Sequence, residues 1–255
     1  MSQKIAMLQP GQAFLNFNKL NPAQVDTLKC LALLAMIIDH VNMLVMPATD
    51  VLMAGIGRMA MPLFTLIFAF NIARQPQRSQ EFATRQWLWA LATQPFFAAA
   101  FQGHYPWYGL NIIFVFATCC QILTWTRSGG KYAHLKSLLL LTVMAYPLSI
   151  ASYGVVGVIF VLLTVFLFTE DLSNRMVIGI WLVFYVMLNI SVASLSSLNY
   201  VILFLTLPSF LLPYIAISLV EMQPLSGRRF LPRQAFYWFY LLHLLGLAVI
   251  IHFSA

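Results

Sequence analysis

Apolar residues run along this chain in blocks too long for strands and too continuous for the faces of surface helices. Crossing roughly 30 Å of hydrocarbon at about 1.5 Å per residue takes about 20 apolar residues. Nine segments approach or reach that length: residues 27–46, 51–72, 83–101, 108–125, 135–151, 154–169, 176–193, 199–219 and 235–253. The pattern predicts an all-α fold, a polytopic bundle of about nine transmembrane helices. The fifth and sixth segments are short and closely joined, so a tilted or re-entrant pair is the alternative count. Residues 1–26 hold Pro10, Gly11, Asn16, Asn18, Asn21 and Pro22 and no continuous apolar stretch. They predict a cytoplasmic N-terminal segment rather than a cleavable signal, with targeting left to the first span. Residues 27–255 then form a single integral-membrane domain.

The polar positions inside the runs are few. Asp39 and His40 interrupt the first, Arg58 the second and His243 the last. An ionisable side chain in hydrocarbon costs several kcal/mol unless it is paired or faces a polar cavity, so each is a functional-site candidate. The first run heads outward and the second inward, which puts Asp39, His40 and Arg58 in the outer half. Asn42 and Gln94 fall at comparable heights, Asn111 near the outer end of the fourth span, and His243 near the middle of the ninth. Ser152, Tyr153 and Gly154 make an outer turn. Depth alone thus groups polar residues of several helices around one outward-opening cavity. The competing structural reading is a buried Asp39–Arg58 ion pair that only fixes two helices, with His40 hydrogen-bonded to a neighbour; for His243 it is a satisfied packing histidine. His104 and His252, at outer ends, read as interfacial.

Composition sharpens this. The chain is 61% hydrophobic and 8% charged over 255 residues, far from a soluble domain. Its net charge of +7 is explained by topology. With the N-terminus inside and the C-terminus outside, every Lys and Arg except Arg58 falls on the inner side, and the outer connections near Pro47, Gly103, Ser152 and Ser196 carry none. No nucleic-acid partner is needed; the inner charge suits membrane lipids with anionic headgroups, or an anionic cofactor. Three cysteines, Cys30, Cys119 and Cys120, lie in or beside apolar runs without metal-ligand spacing and read as packing residues; no metal site is expected. Gly55 and Gly57 sit inside a helical run, so they read as close helix packing, not a phosphate loop.

The chemistry at hand is a general base with electrostatic support. A histidine takes a proton from a nucleophile, and an arginine holds developing negative charge. Asp39 and His40 are neighbours about 100° apart on a helix, so they need not touch, and Asp39 has Arg58 as its alternative partner. A transporter would also place polar residues at mid-depth, but no repeated halves and no broken-helix pair are visible. A non-catalytic scaffold would have no use for an Asp, a His and an Arg in hydrocarbon.

The blocks TLKCLALLAMIIDHVNML, GIGRMAMPLFTLIFAFNIAR, PWYGLNIIFVFA, PLSIASYGVVG and FYWFYLLHLLGL resemble, in order, the TraX family of conjugative-plasmid proteins. The DH pair and the GR followed by P-L-F are the most specific elements. The resemblance implies an integral membrane acetyltransferase of the bacterial inner membrane. It would move an acetyl group from acetyl-CoA to the N-terminal amine of the mature pilin subunit. It picks out Lys29, Asp39, His40, Asn42, Arg58, Asn111, Tyr153 and His243. A first-helix histidine is also similar to that of the wider class of membrane acyltransferases, which favours His40 as the catalytic residue. The segment from Tyr108 to Asn111 reads YGLN, which leaves the spacing of a substrate contact there open. Lys29, Arg74, Arg85 and Arg233 at the inner mouth suit the phosphates of coenzyme A, with ordinary positive-inside residues as the bland reading. The implied mechanism has His40 deprotonate the amine, Arg58 stabilise the oxyanion or Asp39, and Asp39 set His40 protonation or Arg58 position. Direct attack and an acetyl-histidine intermediate both stay open, as do a lipid or saccharide acceptor and a non-catalytic scaffold.

Overall fold

The segment Asn21-Pro22-Ala23-Gln24 starts the first helix. Asn21 Oδ1 accepts from the Gln24 N–H at 2.9 Å and Gln24 Oε1 accepts from the Asn21 N–H at 2.9 Å, a reciprocal capping box, and Pro22 supplies a helical φ at the first position. Helix α1 therefore spans Pro22–Leu44, starting ahead of the apolar run that begins at residue 27. The computed structural model describes residues 17, 19–169, 175–190, 201–224 and 227–254. Lys4, most of the N-terminal segment, the connection at Ser196 and the span ends at Ala193 and Asn199 lie outside the described residues.

The other helices follow in order: α2 Val51–Gly57, α3 Ala60–Arg74, α4 Ser79–Ala100, α5 Ile113–Ser128, α6 Ala133–Ala151, α7 Gly154–Thr169, α8 Arg175–Met187, α9 Leu207–Glu221 and α10 Ala235–Ser254. A 3₁₀ turn, Pro76–Arg78, precedes α4, and a π-helical segment, Val201–Thr206, leads into α9. No strand occurs among the described residues. Helix α1 packs on α2, α3, α9 and α10, α4 packs on α5 and α10, and α7 joins α3, α5, α6 and α8.

All-helical architecture is borne out among the described residues; the count of nine spans is not. Among the described residues five helices have the length and apolar character to cross a membrane: Pro22–Leu44, Val51–Arg74, Ala133–Ala151, Val201–Glu221 and Ala235–Phe253. Gly154–Thr169 and Arg175–Met187 are apolar but shorter. Helix α4 falls short because Glu81, Arg85, Gln86 and Gln94 lower its hydropathy, and α5 because it has 16 residues. The second span, which reads as one run, is broken at Arg58–Met59. Pro62 has no N–H to donate to the Arg58 carbonyl, so the i to i−4 ladder stops there. The Arg58 N–H instead closes α2 on the Ala54 carbonyl at 3.0 Å. A break at this depth is tolerable only where protein or a polar cavity covers it.

The connection between α4 and α5 is clamped on both sides. Gln94 Nε2 donates to the Gly109 carbonyl at 2.8 Å, while Gln94 Oε1 accepts from the Asn111 N–H at 3.1 Å and from Asn111 Nδ2 at 2.9 Å. The Leu110 N–H donates to the Pro147 carbonyl at 3.2 Å, and Ser152 Oγ donates to the Leu110 carbonyl at 2.6 Å. A Cβ on Gly109 would sit 2.9 Å from the Ala151 Cβ, so only glycine lets the connection lie this close to α6.

Candidate active site

Helix α1 carries Asp39 and His40 at consecutive positions, and the helical turn sends them to different neighbours. His40 faces α10, where its Nδ1 lies 2.9 Å from Nε2 of His243. The two rings stack at 5.1 Å and 22°, and the Phe101 ring stands edge-on to His40 at 5.1 Å. His243 Nδ1 is 3.2 Å from the Phe239 carbonyl of its own helix. Both histidines are half-buried. Both ring nitrogens of His243 thus have a partner, Nε2 on another imidazole and Nδ1 on a carbonyl of its own helix.

Asp39 faces α2. A Cβ built on Gly57 would lie 2.5 Å from the Asp39 Cβ and Oδ1 and 2.9 Å from its Cα, so the missing side chain is what lets α2 reach α1 here. The next residue, Arg58, sits in the helix break. Its guanidinium interacts electrostatically with Tyr153 first and with Asp39 and Tyr105 next. No direct Asp39–Arg58 ion pair forms; among the described residues the ion pairs are Lys29–Asp26 and Arg78–Glu81. Arg58 Nε is buried and has no hydrogen-bond partner among the described residues. A guanidinium with an unmet donor in apolar surroundings is a standing demand for an acceptor oxygen.

Tyr105, absent from the sequence reading, joins the two halves. Its ring stacks on Phe101 at 5.5 Å, and Phe101 touches His40, while its hydroxyl lies within the field of Arg58 and Asp39. Burial pushes the Tyr105 phenol up, against the opposing pull of Arg58 and with help from Asp39, so it stays protonated as a donor at neutral pH. Its only sequence signal was an aromatic in an outer connection. Tyr153 is brought to Arg58 by the turn before α7; its Cβ abuts the site where a Gly157 Cβ would fall, at 2.6 Å.

Three other candidates spend their polar groups on the scaffold. Asn42 is buried and brackets Asp50, donating to its carbonyl at 3.0 Å and accepting from its N–H at 2.7 Å, which closes the α1–α2 connection. Asn111 is fully buried and donates to the Ala90 carbonyl at 3.0 Å besides its bonds with Gln94. These residues hold the connections that carry Tyr105 and Asp50 rather than facing His40.

At the opposite, basic end lies a cavity of about 400 Å³. Lys29, Arg78, Arg85, Arg229 and Arg233 line it, with Phe68, Phe82, Phe236 and Tyr237, and no carboxylate lines it among the described residues. Lys29 is held at 2.7 Å by Asp26, which is fully buried. The other Asp26 oxygen accepts from the Leu231 N–H at 3.2 Å, so one carboxylate ties α1 to the segment bearing Arg229 and Arg233. Arg78 is paired with Glu81 at 2.6 Å. Arg85, Arg229 and Arg233 hold no ion pair among the described residues. Arg74 does not line the cavity; it is exposed, with its guanidinium 4.9 Å from the Phe70 ring. Arg78 and Arg229 are lining residues that the sequence reading counted only as inner charge.

Helices α1 and α10 connect the two regions. From Phe236 to His243, α10 climbs about 10 Å at about 1.5 Å per residue. The architecture is thus a helical membrane protein with a half-buried histidine pair, a buried arginine Nε short of an acceptor, and a cationic cavity at one end. The family model for "TraX protein" matches residues 24–251, and the chain belongs to the TraX family. A protein named Protein TraX from Escherichia coli is 36% identical over 159 residues, 61% of each chain. A second Protein TraX, from Escherichia coli strain K12, is 36% identical over 162 residues, 62% of each chain. The matched stretch thus spans about three fifths of the length of these curated relatives. No solved structure matches the chain.

Proposed function

We propose that the protein is a multi-pass acetyltransferase of the bacterial inner membrane, with its N-terminus cytoplasmic and C-terminus outside, moving acetyl from acetyl-CoA to the N-terminal amine of a conjugative pilin. The observation that carries the reading is a five-cation cavity whose wall includes Lys29 of α1 and Phe236 and Tyr237 of α10, the two helices that hold the histidine pair. Cations in a partly enclosed cavity suit the phosphates of coenzyme A, and the extended arm of that molecule runs toward His40. The acceptor amine attacks the thioester carbonyl; a C–N bond forms, the C–S bond breaks, and His40 passes the amine proton to the departing thiolate. Arg58, with its unmet Nε donor, stabilises the oxyanion, with Asp39 and Tyr153 positioning its guanidinium. Intact mass of mature pilin from cells with and without the protein tests this directly. The expected difference is one acetyl group on the N-terminus; identical masses overturn the pilin reading.

The cavity makes its own prediction. Arg85→Gln and Arg233→Gln each remove an unpaired cation, and the KM for acetyl-CoA should rise by about tenfold or less, because a charge-assisted contact worth about 1.5–3 kcal/mol is weakened at an open rim. The kcat should hold, since phosphate contacts are the same in ground and transition states. Arg74→Gln, outside the cavity, should leave KM unchanged. Steady-state kinetics in detergent with pilin peptide as acceptor separates the three.

A further inference from the structure

The two histidines are not equivalent, and the backbone decides which is which. A carbonyl oxygen only accepts, so the 3.2 Å contact between His243 Nδ1 and the Phe239 carbonyl places a hydrogen on His243 Nδ1. In the neutral ring Nε2 is then a bare lone pair. His40 Nδ1 lies 2.9 Å from that lone pair and must therefore donate to it. His40 is left with a hydrogen on Nδ1 and a lone pair on Nε2. We infer that His243 is a positioning residue that, through the chain Phe239 carbonyl to His243 to His40, holds His40 as the Nδ1–H tautomer and presents Nε2 as the proton-accepting atom.

The surroundings reinforce the assignment. Phe101 meets the His40 ring edge-on and Tyr240 meets His243 the same way at 5.2 Å, so aromatic walls restrict ring flips that would exchange the nitrogens. Asp39 is turned toward Gly57 and Arg58, so the usual carboxylate that orients a catalytic histidine is replaced here by a second imidazole. An imidazole differs from a carboxylate in one respect that matters in hydrocarbon. It orients the base without adding a negative charge, and when Nε2 of His40 takes a proton, the bridging hydrogen on Nδ1 can shift to His243 Nε2. The single positive charge is then shared over two rings, and no proton enters or leaves the pair other than the one received from the amine.

The inference rests on the acetyl-transfer reading only for its kinetic half, so the experiment has two arms. Nitrogen-15 NMR of histidine-labelled protein in detergent, without substrate, reads the tautomer; the His40 signals are those lost in His40→Gln. The expected spectrum has His40 protonated at Nδ1 and bare at Nε2, and His243→Leu, which removes the acceptor, turns it into a tautomer mixture. His243→Gln keeps an acceptor oxygen at the place of Nε2 and should keep the Nδ1–H form. In the kinetic arm His243→Leu loses at least tenfold in kcat with an unchanged KM for acetyl-CoA, and His243→Gln recovers most of that loss. A wild-type His40 protonated at Nε2 overturns the relay, as does equal kcat in the Leu and Gln variants. An Nδ1–H His40 in a protein that acetylates no acceptor leaves the relay standing and overturns the proposed function instead.

Discussion

His40→Ala is expected to fold, insert and bind acetyl-CoA, and to lose about 10²–10⁴-fold in pilin acetylation, the usual contribution of a general base. The separation between binding and turnover follows from the geometry. His40 is on the α1 face toward α10, whereas the cations that suit coenzyme A line the cavity at the other end of the same helices. The ring lost is half-buried and makes edge or stacking contacts with Phe101 and His243, so its removal costs packing against two rings and strands no ionic partner. Acetyl-CoA binding by calorimetry, thermal unfolding in detergent and single-turnover acetylation measure the three properties on one sample. Near-normal turnover would remove His40 from the chemistry and leave the histidine pair as a packing device.

What was legible in the chain follows from how each signal is encoded. Span positions and the depths of Asp39, His40, Arg58 and His243 are one-dimensional properties, read by counting residues along helices. Which faces those residues share is not. Asp39 and His40 are adjacent in sequence and part company in space, because a turn of about 100° per residue sends one to α2 and the other to α10. An Asp39–Arg58 pair was a reasonable expectation from depth, but it presumed a continuous second helix. The guanidinium interacts with Tyr153 as well as with Asp39 and makes no ion pair with the carboxylate. Pro62 carried the signal for the break at Arg58–Met59, since a proline at this position always removes a ladder bond; the apolar run around it masked the signal. Tyr105 and the tie from Asp26 to Leu231 depend on contacts between distant segments and had no local trace. Gln94, Asn111 and Asn42 show what depth leaves out. A polar residue at the right depth can serve a connection as readily as a substrate, and only its hydrogen-bond partners distinguish the two.

Gly57→Ala should be among the most damaging single changes outside the histidine pair. The new Cβ would lie 2.5 Å from the Asp39 Cβ and Oδ1 and 2.9 Å from the Asp39 Cα. A rotamer change moves Oδ1 but neither Cβ nor Cα, so α1 and α2 must separate, and Arg58 moves with α2. Overpacking of this kind costs about 1–3 kcal/mol, opposed by at most about 1 kcal/mol from the better helix propensity of alanine. The net is a lower unfolding temperature together with loss of most acetylation, since Asp39 and Arg58 leave the places that the proposed mechanism gives them. Gly179 is the control: nothing lies within 4 Å of a Cβ built there, so Gly179→Ala should be neutral or slightly stabilising and fully active. Adding Asp39→Ala to Gly57→Ala should not restore the unfolding temperature, because the clashing Cβ and Cα remain; Asp39→Gly should restore part of it. If Gly57→Ala behaves like Gly179→Ala in unfolding and turnover, the close approach of α2 to Asp39 is wrong, and with it the placing of Arg58 at the reaction centre.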